Sequence, residues 1–191
     1  MNTRTHRITF ALWGSIFLLG LSSSIYGTTL QRMSLATMTR STKIIVRAKC
    51  ARNSVRWDRG EIWTFTSFAV EEMWKGSVPA RFSVRLLGGR MATVTSSVSG
   101  VPRFAPGEDV ALFLEPTIAG DYSVVAWEEG TFRIRPLLDN LELAVTEDSA
   151  TFSTFDPATR RFETSGVAHE PLAQFRARIA ALLATDREGG R

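Results

Sequence analysis

The sequence predicts a mostly-β protein, a small barrel or sandwich with a short N-terminal helix and an amphipathic C-terminal helix. Three observations support this class. Segments in which apolar and polar residues alternate recur along the chain, and glycine and proline separate them. Only the last part of the chain has apolar residues at a clear helical spacing. The length of 191 residues suits one domain after removal of a targeting segment.

Residues 1–27 have the pattern of a signal peptide. Two arginines precede an apolar run over residues 8–21, and small residues follow it up to Gly27. The run is shorter than the roughly 20 residues that span a bilayer. We therefore expect export to the periplasm or the cell exterior. An uncleaved anchor is the alternative, and it would be the protein's only contact with a membrane.

The charge of the chain does not indicate a nucleic-acid partner. The formal net charge is +4, and residues 1–27 contribute Arg4 and Arg7 with no acidic residue, so the remainder carries +2. A dedicated nucleic-acid-binding protein usually has a strongly basic surface. No nucleic-acid partner is predicted.

Residues 28–185 are predicted to form one β-rich domain that begins with a short helix within residues 28–42. The first strand covers residues 43–50 and ends at Cys50. A single cysteine allows no internal disulfide. Alternation places Cys50 on the same face as three apolar residues, which predicts a buried core thiol. A reactive or intermolecular thiol is the alternative, and no nearby histidine would activate it.

Alternation predicts the further strands. In residues 80–87, three apolar side chains face one way while Arg81, Ser83 and Arg85 face the other. Residues 109–114 are apolar on both faces, which predicts a central strand. Two pieces of residues 136–168, Leu141–Val145 and Ala150–Phe155, are candidate edge strands. The remaining predicted strands cover residues 61–74, 91–98, 122–127 and 131–135.

The chain ends with a predicted amphipathic helix of three to four turns. Pro171 stands where a first-turn proline belongs. The apolar residues that follow at helical spacing are Leu172, Phe175, Ile179 and Leu182. Residues 186–191 are polar and rich in glycine, which predicts a flexible tail.

Histidine and cysteine are too few for the common catalytic and metal-binding arrangements. After residues 1–27, His169 is the single histidine, and we expect it to face solvent just before the terminal helix. Most structural zinc sites need several His or Cys ligands. No G-x-S-x-G motif is present to supply an activated serine. No catalytic, cofactor-binding or metal-binding residue is assigned.

The acidic residues show no acid/base pattern. Glu71–Glu72 and Glu128–Glu129 are adjacent pairs, and neighbours in a strand point to opposite faces. A carboxylate pair brought together by folding could still serve a glycosidase. Four further acids lack the spacing of a calcium loop and are expected on a solvated surface: Asp139, Glu142, Glu147 and Asp148.

Four arginines project from the polar faces of predicted strands. They are Arg81, Arg85, Arg133 and Arg135. If their strands adjoin, they form a small cationic patch beside Trp63 or Trp127 that could bind sugars or single-stranded nucleic acid. An ordinary solvated sheet face is the interpretation favoured by the small net charge.

The stretch from Lys43 to Ile134 resembles a group of uncharacterised bacterial exported β-rich domains. Its layout is similar to the five-stranded Greek-key barrel of OB-type domains, including the netrin-like and metalloproteinase-inhibitor group. In that inhibitor group, as the resemblance implies, an N-terminal cysteine approaches the zinc of the protease. Here Cys50 lies inside a strand, so no functional residue carries over. The resemblance depends on KIIVRAKC (43–50), EEMWKG (71–76), Gly88–Gly89, GVPRFAPGEDVALFLEP (100–116) and EGTFRI (129–134).

The sequence therefore predicts a non-catalytic exported binding or interaction module. The expected partner is another exported or envelope protein, and no cofactor is expected. One alternative is a protease-inhibitor-like partner protein. The other is an envelope hydrolase with an unrecognised carboxylate site.

Overall fold

The computed structural model describes residues 32–137, 141–151, 154–156, 161–163 and 166–189. The predicted signal peptide lies outside these residues. The described chain is mostly β, as predicted, with helix α1 (Leu35–Ser41) before the sheet and helix α2 (Leu172–Gly189) at its C-terminal end. Neither described helix is both long and apolar enough to cross a membrane.

The described residues form twelve strands and two short 3₁₀ turns, Trp127–Gly130 and Asp148–Thr151. In chain order the strands are β1 (Ile44–Asp58), β2 (Glu61–Lys75), β3 (Arg81–Leu87), β4 (Gly89–Met91), β5 (Val94–Ser96), β6 (Asp109–Pro116), β7 (Tyr122–Val124), β8 (Thr131–Pro136), β9 (Leu143–Glu147), β10 (Thr154–Asp156), β11 (Arg161–Glu163) and β12 (Glu170–Pro171).

Eight of these strands form one sheet in the order β1-β2-β3-β7-β6-β8-β9-β12, and β1 also pairs with β6. The pairings of β1, β2, β3, β7 and β6 therefore lead back to β1. The link between β3 and β7 is a single parallel pair, Val84 with Tyr122. Because this link is so short, the sheet curls back on itself without closing into a barrel.

The long hairpin of β1 and β2 extends past β6, while β3 continues to pair with β2. Register shifts near Ile45, Arg47 and Cys50 bend β1, since bulges increase the local twist of a strand. The pairing of β1 with β6 ends at Lys49, opposite Asp109. Beyond that point β1 pairs with β2 alone, so the hairpin end is open to solvent on its concave side.

Two apolar cores lie on opposite faces of β1 and β6. Ile44 and Val46 face the inner core, while Ile45, between them, faces the outer core under the helices. The same alternation along β6 makes it central, as its apolar sequence predicts. The outer core contains Met38, Ile45, Ala111, Phe113, Phe132, Ile134, Val145, Val167, Phe175 and Ile179.

Helix α2 is longer than the predicted three to four turns, because it continues to Gly189 and takes in residues 186–189 of the predicted tail. Phe175 and Ile179 are buried, as predicted. Leu183, rather than Leu182, is the next side chain packed on the outer core. The Phe175 ring lies 5.0 Å from the ring of Phe132 in β8, so the helix is held against the sheet.

Three predicted strands differ from the structure. The first strand was predicted over residues 43–50, but β1 continues to Asp58 and pairs with β2 over that extension. Residues 91–98 were predicted as one strand, but β4 and β5 form a hairpin there, because the chain turns at Ala92 with a φ of 52°. The strand predicted over residues 122–127 ends at Val124. Ala126 and Trp127 have φ values of 50° and 51°, which no strand can accommodate. In the 136–168 segment, β9 pairs with β8 and confirms a strand at the first candidate, but β12 pairs with its other side, so β9 is not at the edge. The second candidate, Ala150–Phe155, begins in the 3₁₀ turn, and β10 starts only at Thr154.

Candidate functional site

An open cleft of about 370 Å³ lies on the concave side of the β1–β2 hairpin, where the hairpin extends past β6. We call it the mouth cleft. Its walls come from β1, β2, the end of β3, the β4–β5 hairpin and the loop before β6. The lining residues are Asn53, Val55, Thr64, Leu86, Gly89, Arg90, Thr95, Ser96, Ser97, Arg103 and Phe104.

Gly88 and Gly89 bring the β4–β5 hairpin against the long hairpin. Their φ values are 86° and 149°, in the region that favours glycine. A Cβ atom on Gly89 would lie 2.6 Å from Thr64 Oγ1 and 2.9 Å from Val55 Cγ1. Thr64 Oγ1 also donates to the Gly88 carbonyl at 2.7 Å. One wall of the cleft therefore requires these two glycines.

The loop before β6 forms the opposite wall and is tied to β1. Asn53 Nδ2 donates to the Phe104 carbonyl at 2.6 Å, and Thr66 Oγ1 donates to Asn53 Oδ1 at 2.6 Å. The Gly107 amide donates to the Cys50 carbonyl at 2.7 Å. Phe104 is buried with its ring edge-on to Phe68. The loop that the prolines and glycines predict is thus rigidly placed.

Arg103 points its guanidinium at main-chain oxygens of the first wall. Nη2 donates to the Leu87 carbonyl at 2.8 Å, and Nη1 reaches the Gly88 carbonyl at 3.4 Å. Among the described residues, no carboxylate lies within ion-pair distance of Arg103. Burial lowers the pKa of Arg103. With five N–H donors in a guanidinium, several remain for a ligand.

The rest of the lining is rich in unused donors. The side chains of Arg90, Thr95, Ser96 and Ser97 make no hydrogen bond to another residue of the described chain. Val55, Leu86 and Phe104 supply an apolar floor. No aspartate or glutamate lines the cleft. This arrangement suits an anionic ligand or one rich in hydrogen-bond acceptors, and it is unsuited to a cation.

A second cleft of about 230 Å³ lies beside the first and is mostly apolar. We call it the tip cleft. Trp57 and Val94, which are 51% and 46% exposed, stand at its rim. Ser96 borders both clefts, so β5 separates them. The lining residues of the tip cleft are Trp57, Gly60, Glu61, Ile62, Leu87, Val94, Ser96 and Val98.

The predicted cationic patch does not form, because β7 and β6 lie between β3 and β8 in the sheet. Arg85 on β3 does lie over the Trp63 ring, at 5.0 Å. It pairs with Asp121 at 3.0 Å and with Asp58 at 3.3 Å. Its charge is therefore balanced within the protein.

Arg133 on β8 was expected on a solvated face, but its side chain is only 13% exposed. It makes two 2.7 Å bonds to Asp148, a further ion pair with Glu108, and a 2.7 Å bond to the Arg103 carbonyl. Its guanidinium carbon lies 5.0 Å from the Phe104 ring centroid. Although burial opposes the charge, the bonds to Asp148 and Glu108 raise the pKa of Arg133. Arg133 thus anchors the loop that carries Arg103.

Among the four acids predicted on a solvated surface, Glu147 is buried, so that prediction was wrong for this residue. Arg32 and Ser149 donate to its Oε1 at 2.5 Å, and the Val167 amide donates to its Oε2 at 3.1 Å. Arg32 and Val167 are remote from Glu147 in sequence, which is why the local pattern could not reveal these two partners. Asp139 lies outside the described residues.

Cys50 and His169 lie where the sequence predicts. Cys50 is 2% exposed in the inner core, and burial, aided by the charge of Glu108, raises the pKa of its thiol. His169 is exposed just before α2, and its amide donates to Thr146 Oγ1 at 3.2 Å. No group of three or more His, Cys, Asp or Glu side chains that could hold a metal ion occurs within the described ranges.

No protein-family model matches the chain, and no curated protein sequence matches it either. This site is therefore supported by its geometry alone. The sequence pattern did not indicate four of its residues, which are Arg90, Thr95, Ser97 and Arg103. Two signals were present in the sequence: the Gly88–Gly89 break, and Arg103 itself, a charged residue that the apolar pattern of its loop does not require.

Proposed function

We propose that the protein is a non-catalytic exported binding module that holds an anionic ligand in the mouth cleft. One observation carries the proposal. Arg90 and Arg103 line a cleft that contains no carboxylate, and Arg103 donates only to main-chain oxygens. Arginine that has not been neutralised within the fold is the usual partner of carboxylate and phosphate groups.

The composition of the cleft supports binding over catalysis. General acid–base and nucleophilic catalysis usually use His, Asp, Glu, Cys or Lys side chains. None of these residue types lines the mouth cleft. Its hydroxyl groups have no base beside them in the lining that could activate them. The described carboxylates Glu108 and Asp148 are occupied by Arg133, on the far side of the loop.

We further propose that the curled sheet is OB-like. Five strands, β1, β2, β3, β7 and β6, pair in a circuit that is weak at one link. A partly open five-stranded barrel is the defining arrangement of OB-type domains, and these domains commonly bind ligands near the loop between their first two strands. The tip cleft adjoins that loop here through Gly60, and the mouth cleft lies beside the tip cleft. Export is proposed from the pattern of residues 1–27 alone.

A protein partner is the second candidate, because the tip cleft exposes large apolar side chains. Trp57 and Val94 are about half exposed at the open end of the molecule. Apolar groups that gather beside a polar rim commonly mark an interaction surface. The expected partner is another exported or envelope protein. A protease-inhibitor role would require this same surface, since Cys50 is buried.

A titration followed by amide NMR tests the proposal. The probes are acetate, N-acetyl-leucine, inorganic phosphate and a galacturonate trimer, each set against a neutral amide or neutral sugar of the same size. We expect the anionic probes to shift the amides of residues 88–97 and 101–104. Arg103→Gln should abolish these shifts. Arg81→Gln is the matched control, because Arg81 is an exposed residue of β3 outside the cleft.

Saturating anionic probes that leave residues 88–104 unshifted would overturn the proposal. Equal shifts from the neutral probes would overturn the anionic part of it. Consumption of a probe during the titration would identify an enzyme instead.

A further inference from the structure

We propose that the ligand is an extended peptide that adds alongside β5, with an acidic side chain over the mouth cleft and an adjacent apolar side chain in the tip cleft. This inference rests on the proposed function and names its ligand. Three features of the open end carry it: the position of β5 between the clefts, the free edge of that strand, and the two arginines that line one cleft but not the other.

The first feature is the position of β5. Successive residues of a strand point to opposite faces. Val94 lines the tip cleft, Thr95 lines the mouth cleft, and Ser96 borders both. A peptide strand lying beside β5 would follow the same pleat. Its successive side chains would therefore be directed alternately to the two clefts.

The second feature is the edge of β5. Within the described strands, β5 pairs with β4 only. Its other edge thus presents main-chain N–H and C=O groups that no described strand uses. Val94 and Thr95 are both exposed, so the edge is accessible. Strand addition to such an edge is a common mode of peptide recognition, in which main-chain bonds give affinity and side-chain pockets give specificity.

The third feature is the chemistry of the clefts. The mouth cleft offers Arg90, Arg103 and hydroxyl groups without a carboxylate. The tip cleft offers Trp57, Ile62, Leu87, Val94 and Val98, and Glu61 is its one charged residue. A ligand that complements both clefts has an acidic group for the mouth cleft and an apolar group for the tip cleft, one residue apart, which an extended peptide provides. An acidic glycan fits less well, since the buried Phe104 presents no ring face for a sugar within the mouth cleft.

The size of the clefts agrees with short side chains. Volumes of about 370 and 230 Å³ lie at or below the small end of the range of about 300–1,000 Å³ for ligand pockets. Each cleft can thus take one or two side chains but not a large cofactor. The main-chain bonds to β5 would supply the rest of the affinity.

The test is binding of a designed hexapeptide to the purified protein by calorimetry and by tryptophan fluorescence. Because the chain has five tryptophans, Trp57→Phe identifies the part of the signal that comes from Trp57. The probe is acetyl-Thr-Val-Glu-Val-Glu-Thr-amide, in which Glu and Val alternate. One control has the same composition in the order Glu-Glu-Thr-Thr-Val-Val, and a second replaces Glu by Gln. Two further controls keep the alternating order and carry N-methyl groups on main-chain nitrogens. One is methylated at its two valines, and the other at its two glutamates.

We expect the alternating peptide to bind and to shift the tryptophan emission, and Trp57→Phe should remove that shift. The shuffled and Gln peptides should bind about tenfold more weakly or worse, because a charge-assisted hydrogen bond contributes about 1.5–3 kcal/mol. One of the two N-methylated peptides should lose binding, since a strand directs alternate N–H groups to its partner. Arg103→Gln should weaken binding by a similar factor, and so should Arg90→Gln to a smaller extent. Arg81→Gln should not.

Equal binding of the shuffled peptide, or of both N-methylated peptides, would overturn strand addition. Preference for the galacturonate trimer over the peptide would overturn the peptide as the ligand. If binding of the trimer still requires Arg103, the proposed anion-binding function of the mouth cleft would be retained. Self-association through β5, seen by sedimentation as a dimer that the peptide cannot dissociate, would also overturn it. Failure of every anionic probe would overturn the proposed function itself.

Discussion

Arg133 contacts the loop before β6, and Arg103 belongs to that loop, but the two arginines differ in whether acidic residues surround them. Arg133 has two carboxylate partners, and its pKa is raised despite burial. Arg103 has main-chain oxygens only, and burial lowers its pKa. Arg133 therefore stabilises the loop, while Arg103 keeps N–H donors for a ligand. Arg133 also donates to the Arg103 carbonyl, so the first arginine positions the second.

Removal of Arg133 should have the largest effect on stability. Arg133→Gln leaves Glu108 and Asp148 without their shared cation in a partly buried site, so we expect the free energy of unfolding to fall by about 3 kcal/mol. Urea denaturation measures it. Arg135→Gln is the control. Its side chain is 73% exposed at 3.7 Å from Glu108, and its loss should cost less than about 0.5 kcal/mol. An equal fall in the free energy of unfolding in the two variants would show that Arg133 does not anchor the loop.

The glycine wall should be the next most sensitive feature. Gly89→Ala places a Cβ atom against Thr64 and Val55 at a φ of 149°, which should cost about 2 kcal/mol and displace the β4–β5 hairpin. Gly107→Ala is the matched control, since its φ is 89° and nothing lies within 4 Å of the added carbon. It should cost about 1 kcal/mol from backbone strain alone. Thermal unfolding measures both. A Gly89→Ala variant no less stable than Gly107→Ala would mean that the hairpin moves freely.

Arg103 should contribute little to stability, in contrast with Arg133. Arg103→Gln loses one short hydrogen bond to the Leu87 carbonyl and no ion pair, so we expect a change within about 1 kcal/mol. The same urea experiment measures it, alongside the loss of anion binding. A cost as large as that of Arg133→Gln would assign both arginines to the fold and end the distinction between them.

The smallest effect concerns Glu128, a third acid near Arg133. Burial, with the charge of Asp148, raises the pKa of Glu128. A carboxyl group whose pKa is higher in the folded state stabilises the protein below the unfolded pKa, and this contribution is lost as the pH rises through the folded pKa. Glu128→Gln should therefore raise stability at pH 7 relative to the original protein and leave it unchanged near pH 4. A higher stability of the original protein at pH 7 would contradict the direction of this shift.

Much of the sheet could be predicted because alternation is a local property. Phe82, Val84 and Leu86 are buried as their spacing indicates, and so are Phe132 and Ile134. The turns were less predictable. The hairpin between β4 and β5 depends on a positive φ at Ala92, a residue that gives no turn signal. The end of β7 likewise depends on positive φ values at Ala126 and Trp127.

The candidate site could not be predicted, because its residues are ordinary in their local context. Arg133 and Arg135 occupy equivalent places in one alternating strand, yet their side chains are 13% and 73% exposed. The difference comes from Asp148, which pairs with Arg133 alone, and from Glu108, which contacts Arg133 closely but lies 3.7 Å from Arg135. Arg103 is a candidate ligand-binding residue for the opposite reason, because no acidic residue of the described fold pairs with it.

The sequence alone was enough to predict the β class, the two-faced strand β6, the buried thiol of Cys50 and the amphipathic terminal helix. These follow from the spacing of apolar side chains, which the pleat and the helix translate directly into buried faces. The tertiary structure was needed to show which arginines are neutralised, that Glu147 is buried, and that β5 separates a cleft lined by two arginines from a cleft lined mainly by apolar side chains. Pairing of charges depends on distances between residues remote in sequence, and these distances exist only once the sheet has curled and its loops have been tied to it.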